Sequence, residues 1–134
     1  MKIKGHEIKP GANLEGADLS NADLKKAKLK KADLTNADLT NADLKKAKLK
    51  KADLTEANLQ GANLQGANLR DANLYGANLG GADLKEANLP FADLQGANLQ
   101  GANLKGAILS PGMNRKFSKE LSKAKNLDKI ILKA

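Results

Sequence analysis

The chain has 134 residues, with no cysteine, no tryptophan, one histidine and a formal net charge of +8. Without thiols, disulfide, haem-thiolate and zinc-thiolate chemistry are excluded, and histidine catalysis would rest on His6 alone. The length suits one domain, and the absence of an N-terminal apolar run long enough for a secretory signal or a membrane span gives the expectation of a cytoplasmic protein that engages no membrane.

Residues 1–10, MKIKGHEIKP, carry Ile3 and Ile8 among three lysines and lead onward through Pro10 and Gly11. They are expected to add a strand to an exposed edge and cap it. From Ala12 to Ala107 alanine stands at every fifth position, and leucine follows two residues later, from Leu14 to Leu109, twenty times each. The residue between them is Asn nine times and Asp eight times, with Lys28, Lys48 and Ile108 as exceptions. The unit is A-(D/N)-L-x-x.

A period of five fits no continuous regular element. On a helix, successive leucines would fall about 140° apart at roughly 100° per residue and form no stripe. In a strand, Ala and Leu share a face, but the three-residue step to the next Ala changes sides. Each unit is therefore a short extended segment with Ala and Leu inward, followed by a corner at the two x positions. The second x is Gly nine times and Asn three times, residues that tolerate positive φ at the third position of a type II turn. The other eight (Lys26, Lys31, Lys46, Lys51, Glu56, Asp71, Glu86 and Phe91) are expected in another turn type, giving mixed corners.

Residues 21–35, NADLKKAKLKKADLT, recur identically as residues 41–55, a shift of four units. Four corners close a square, so twenty units give five coils, a tower about 24 Å tall at roughly 4.8 Å per strand. Within the duplicated block Lys25, Lys26, Lys28, Lys30 and Lys31 point outward, and Lys45, Lys46, Lys48, Lys50 and Lys51 repeat them one coil above. These ten form a candidate polyanion patch, weighed against a merely solvated surface and against partial neutralisation by Asp23, Asp33, Asp43 and Asp53. The outward Asp residues alternate with Asn beside corners, which fits local side-chain to backbone hydrogen bonding better than a metal site. Tyr75 and Phe91 are outward aromatics of the upper coils. Phe91 is expected to pack under the C-terminal segment.

That segment leaves the repeat at Ser110-Pro111-Gly112. Phe117, Leu121 and Ala124 mark one face of a short helix N-capped by Asn114 or Ser118, and Leu127, Ile130, Ile131 and Leu132 are apolar enough to be expected out of water. Phe117, Leu121 and Phe91 are candidate cap or partner contacts. Residues 1–10, 11–110 and 111–134 thus divide as N-terminal cap strand, solenoid and helical cap. Their net charges are +2, +1 and +5.

The twenty A-(D/N)-L-x-x units of Ala12 to Leu109 resemble the pentapeptide-repeat family. The resemblance implies an all-β, right-handed quadrilateral parallel β-helix with Leu and the preceding Ala inside, and raises dimerisation through the C-terminal cap as the alternative to a monomer. No nucleophile motif or glycine-rich phosphate loop occurs, and a filled core with convex walls offers no catalytic cleft. The reading is a non-enzymatic binding, spacing or structural module with a protein partner and with no cofactor, metal or small-molecule substrate. A basic face for nucleic acid or another polyanion is the alternative. DNA mimicry protecting a topoisomerase (gyrase), as in quinolone-resistance members, would need a strongly negative surface.

Overall fold

A computed structural model describes residues 1–133. Its regular elements are short: β1 (Lys2–Ile3), β2 (His6–Glu7), β3 (Ile108–Leu109), α1 (Met113–Lys116), α2 (Ser118–Leu121) and β4 (Ile131–Leu132). Between β2 and β3 the chain is a succession of single-residue parallel bridges separated by turns. Asn13 bridges Asp33, Asp33 bridges Asp53, Asp53 bridges Asn73 and Asn73 bridges Asp93, and three further columns start at Asp18, Asp23 and Lys28. Partners are twenty residues apart, so four units complete one coil. We number the four walls by these columns; wall four carries Lys28, Lys48, Asn68, Asn88 and Ile108.

The backbone explains why the unit repeats without insertion. Leu14 N–H donates to the Asp33 carbonyl at 2.7 Å and Asp33 N–H to the Ala12 carbonyl at 2.9 Å, while Ala17 N–H closes the corner onto the Leu14 carbonyl at 3.0 Å. A residue added within an extended segment would disrupt the pairs that span it and turn the local Leu outward. All twenty alanines and twenty leucines are buried, none more than 6% exposed.

The corners are uniform, not mixed. The second corner residue has φ between 57° and 72° at all twenty positions, including Lys26, Lys31, Lys46, Lys51, Glu56, Asp71, Glu86 and Phe91. The ladder imposes this: Lys26 N–H must reach the Lys45 carbonyl, 2.9 Å away, as Gly16 N–H reaches that of Thr35 at 2.8 Å. The left-handed conformation costs about 1 kcal/mol or more for a residue with a Cβ, and the pairing overrides it.

The ends differ from the sequence reading in three respects. β1 and β2 pair with each other, Lys2 opposite Glu7 and Ile3 opposite His6, and add no strand to the first coil. The positive φ of Lys4 and Gly5 makes the two-residue hairpin turn responsible. Lys4 Nζ ties this hairpin to the Ser20 carbonyl at 2.5 Å, and Ile8 is buried. At the other end the expected single helix is two four-residue helices separated by Phe117, whose ψ of 29° leaves the helical region; the residues before them are Gly112 and Phe117, and neither Asn114 nor Ser118 caps by its side chain. Met113, Phe117 and Leu121 are buried in the core cluster, with Ala124, Leu127 and Ile130 partly buried against it. Ile131 and Leu132, expected to be covered, remain 47% and 46% exposed. Their strand β4 pairs in parallel with β3, Ile108 to Ile131 and Leu109 to Leu132, and thereby adds one more rung to wall four above the last coil.

Candidate functional site

The walls differ in chemistry because of what stands between Ala and Leu. Where that residue is Asp or Asn, its Oδ1 accepts the N–H two residues on, as from Asp33 to Thr35 at 3.0 Å and from Asn63 to Gln65 at 3.0 Å. These bonds pin each corner, as expected of Asx turns. Asn88 has Pro90 two residues on and so meets no N–H there. Lys28 and Lys48 have no acceptor to offer, so the Lys30 and Lys50 amides are without this bond.

All ten lysines lie on wall four or its two flanking corners. Nine are exposed and Lys50 is half-buried. The duplicated rows superimpose: Lys28 bridges Lys48, Lys26 N–H donates to the Lys45 carbonyl, and Lys31 N–H donates to that of Lys50 at 3.0 Å. Of the ten, Lys25 alone has carboxylates beside it among the described residues, Asp23 at 3.8 Å and Asp43 at 3.9 Å. The Oδ1 atoms of Asp33 and Asp53 accept the Thr35 and Thr55 N–H groups at the next corner, and among the described residues no close ion pair forms between these two carboxylates and the patch lysines.

The side chains of Lys28, Lys30, Lys46, Lys48 and Lys50 line an open groove of about 710 Å³ with Pro10, Gly66 and Asn68. Gly66 stacks over Lys46, where an added Cβ would lie 3.4 Å from Lys46 Cγ, and the missing side chain keeps the groove open above the lysines. Sequence reasoning located the lysines but not this groove, whose signal was the change from Lys46 to Gly66 at one corner of successive coils.

The second candidate set converges only in part. Phe117 and Leu121 are buried, whereas Phe91 is 54% exposed with the Arg70 guanidinium 5.1 Å from its ring centroid. The cap therefore does not cover Phe91. Its ring borders a shallow depression with Pro111, Met113, Lys116 and Phe117. Its N–H donates to the buried Ser110 hydroxyl at 3.2 Å. Tyr75 stands 44% exposed at a different corner.

Above the last coil, Gly101 N–H donates to the Lys123 carbonyl at 3.0 Å and Leu104 N–H to that of Lys125 at 3.1 Å. Glu120 Oε2 accepts the Gly96 N–H at 2.9 Å, which holds the Glu120 carboxyl below its ordinary range. Among the described residues, no three His, Asp or Glu side chains converge as a metal site, and no helix is long and apolar enough to cross a membrane.

The sequence matches the profile described as Pentapeptide repeats over residues 11–41, 37–76 and 72–110. Among solved structures, a pentapeptide repeat protein from the Arabidopsis thaliana thylakoid lumen is 28% identical, with 92% of this chain and 84% of that chain covered at a TM-score of 0.60. HetL from Nostoc, a pentapeptide repeat protein involved in heterocyst differentiation regulation, is 31% identical over 75% of this chain and 65% of that one, at a TM-score of 0.30. The plasmid-mediated fluoroquinolone resistance protein QnrB1 is 23% identical over 75% and 62%, at a TM-score of 0.39. No curated protein sequence matches the chain.

Proposed function

The chain belongs to the pentapeptide-repeat family, whose members form right-handed β-helices, and we propose that it is a non-enzymatic module that presents rigid outer walls to a macromolecular partner in the cytoplasm. One observation carries this reading. The interior is filled from end to end, every repeat alanine and leucine being at most 6% exposed, so recognition falls to the outward residues of the walls and corners. In this reading the twenty repeats make five coils of a quadrilateral tower, with residues 1–10 and 111–134 closing its two ends. The chain acts as a monomer, or as a dimer through its C-terminal cap.

Mimicry of DNA in gyrase protection is disfavoured by charge, since the whole chain carries +8 and residues 11–110 about +1. The reading is tested by replacing outward residues one wall at a time in four variants and comparing the partners that each captures from the native host with those of the parent. Loss of a partner on substitution of one wall, with an unchanged melting temperature, is the expected result. A partner retained by all four variants would overturn the reading.

A further inference from the structure

We propose that wall four of the first two coils binds the phosphodiester backbone of duplex nucleic acid without reading its sequence. The inference rests on the reading that outer walls are the recognition surface, and it names the partner's chemistry.

Charge complementarity is the first argument. Two superimposed rows of lysines cover one wall and its corners, and only Lys25, at one edge, is beside carboxylates among the described residues. The rows lie about 5 Å apart. Such a grid of closely spaced ammonium groups repels itself, and a polyanion whose condensed counterions are released on contact relieves that repulsion.

Local structure supplies the second argument. Lysine works against the fold here in two further ways. Lys26, Lys31, Lys46 and Lys51 hold φ of 58–61° at corners where Gly or Asn fits better, and Lys28 and Lys48 displace the Asp or Asn that pins corners elsewhere. Three costs concentrated on one wall are the signature of a surface that serves something other than stability.

The kind of anion follows from what the wall lacks. On these two coils every cation is a lysine and no aromatic is present. Arg70 and Phe91 stand on the same corner one and two coils higher with the guanidinium already held over the Phe91 ring, so forked and stacking contacts are not offered by the patch itself. Point charges lining an open groove suit the backbone of a duplex, in which the bases are already stacked and turned inward.

The test uses the full chain and a labelled 20-base-pair DNA duplex, followed by fluorescence anisotropy from about 50 to 200 mM salt. Two charge-matched variants are compared. One carries Gln at Lys28, Lys30, Lys46, Lys48 and Lys50; the other carries Gln at Lys116, Lys119, Lys123, Lys125 and Lys129. The wall variant is expected to lose at least about tenfold in affinity, with a shallower dependence of log affinity on log salt by about 3, whereas the tail variant stays within about threefold of the parent. A third variant, K28N/K48N, is expected to bind more weakly while melting higher than the parent, because Asn restores both corner bonds; a folding defect cannot produce that combination. Equal losses in the wall and tail variants would overturn the proposal in favour of a generic cationic surface. Competition by poly-aspartate as effective as by the duplex would overturn it in favour of an acidic protein. Absence of duplex binding by the parent would overturn it while leaving the wall reading to its own capture experiment.

Discussion

The carboxylate of Glu120 accepts the Gly96 N–H at 2.9 Å, replacing a bond that one coil lower is purely backbone, from Gly76 N–H to the Gln95 carbonyl at 2.9 Å. A side chain of the C-terminal segment thus stands in for the missing sixth coil at that corner. At Phe91 the partner in the chain is the regular one, Ser110, but its hydroxyl accepts the N–H in place of its carbonyl. The top of the solenoid is closed by individual polar groups as well as by the buried side chains of Met113, Phe117 and Leu121.

Acid should loosen this closure first. The Gly96 N–H lowers the Glu120 carboxyl below its ordinary 4.5, so its contribution is fully present above pH 4.5 and is lost as pH falls through the folded-state value. The protection factor of the Gly96 amide, its exchange measured against the intrinsic rate at each pH, should fall across that interval in the parent. In E120Q the protection should already be lower at pH 7 and lack this acid step. Identical acid profiles for the two proteins would show that the bond contributes nothing.

Leu64 lies at the middle of the stack, fully buried. Truncation by L64A should cost about 2–5 kcal/mol, because neighbouring coils tied by backbone bonds cannot collapse into the cavity. L64K should cost more, since its ammonium must draw water inward or lose its proton. Denaturant unfolding measures both, and a loss below about 1 kcal/mol for L64A would contradict a close-packed interior.

Corner strain separates backbone from packing effects. Gly81 has φ of 65° and open space where a Cβ would stand, so G81A should destabilise by about 1 kcal/mol through conformation alone. At Lys31, with φ of 61°, K31G should relieve the same strain and, after the entropy of glycine in the unfolded chain, change stability by no more than about 0.5 kcal/mol in either direction. Thermal melts distinguish these outcomes from a tower with freely variable corners, in which G81A would be silent.

Removing residues 111–134 takes away the partners of Gly101, Leu104 and Gly106 and uncovers the leucines of the last coil. The truncated chain should associate as concentration rises, and static light scattering should detect the increase in mass. A truncated protein that remains monomeric throughout would show that the edge is protected by other means.

The sequence alone determined the path of the solenoid, because a five-residue spacing of Ala and Leu is compatible with one inward face only if a corner falls in every unit, and because the repeat of residues 21–35 at 41–55 measures the coil. It also placed the ten lysines outside and in register. Tertiary structure decided what depends on neighbours distant in the chain. Residue preference at Lys26 or Phe91 argues against positive φ, yet hydrogen bonds to Lys45 and Ser110, nineteen residues away, impose it. Likewise Phe91, Ile131 and Leu132 are apolar enough to predict burial, yet they stay about half exposed: Phe91 stands at an outward corner, and Ile131 and Leu132 lie on a strand stacked above Ile108 and Leu109. The groove beside Lys46 exists because the residue stacked over it is Gly66, a relation across twenty positions that only the closed coil brings into contact.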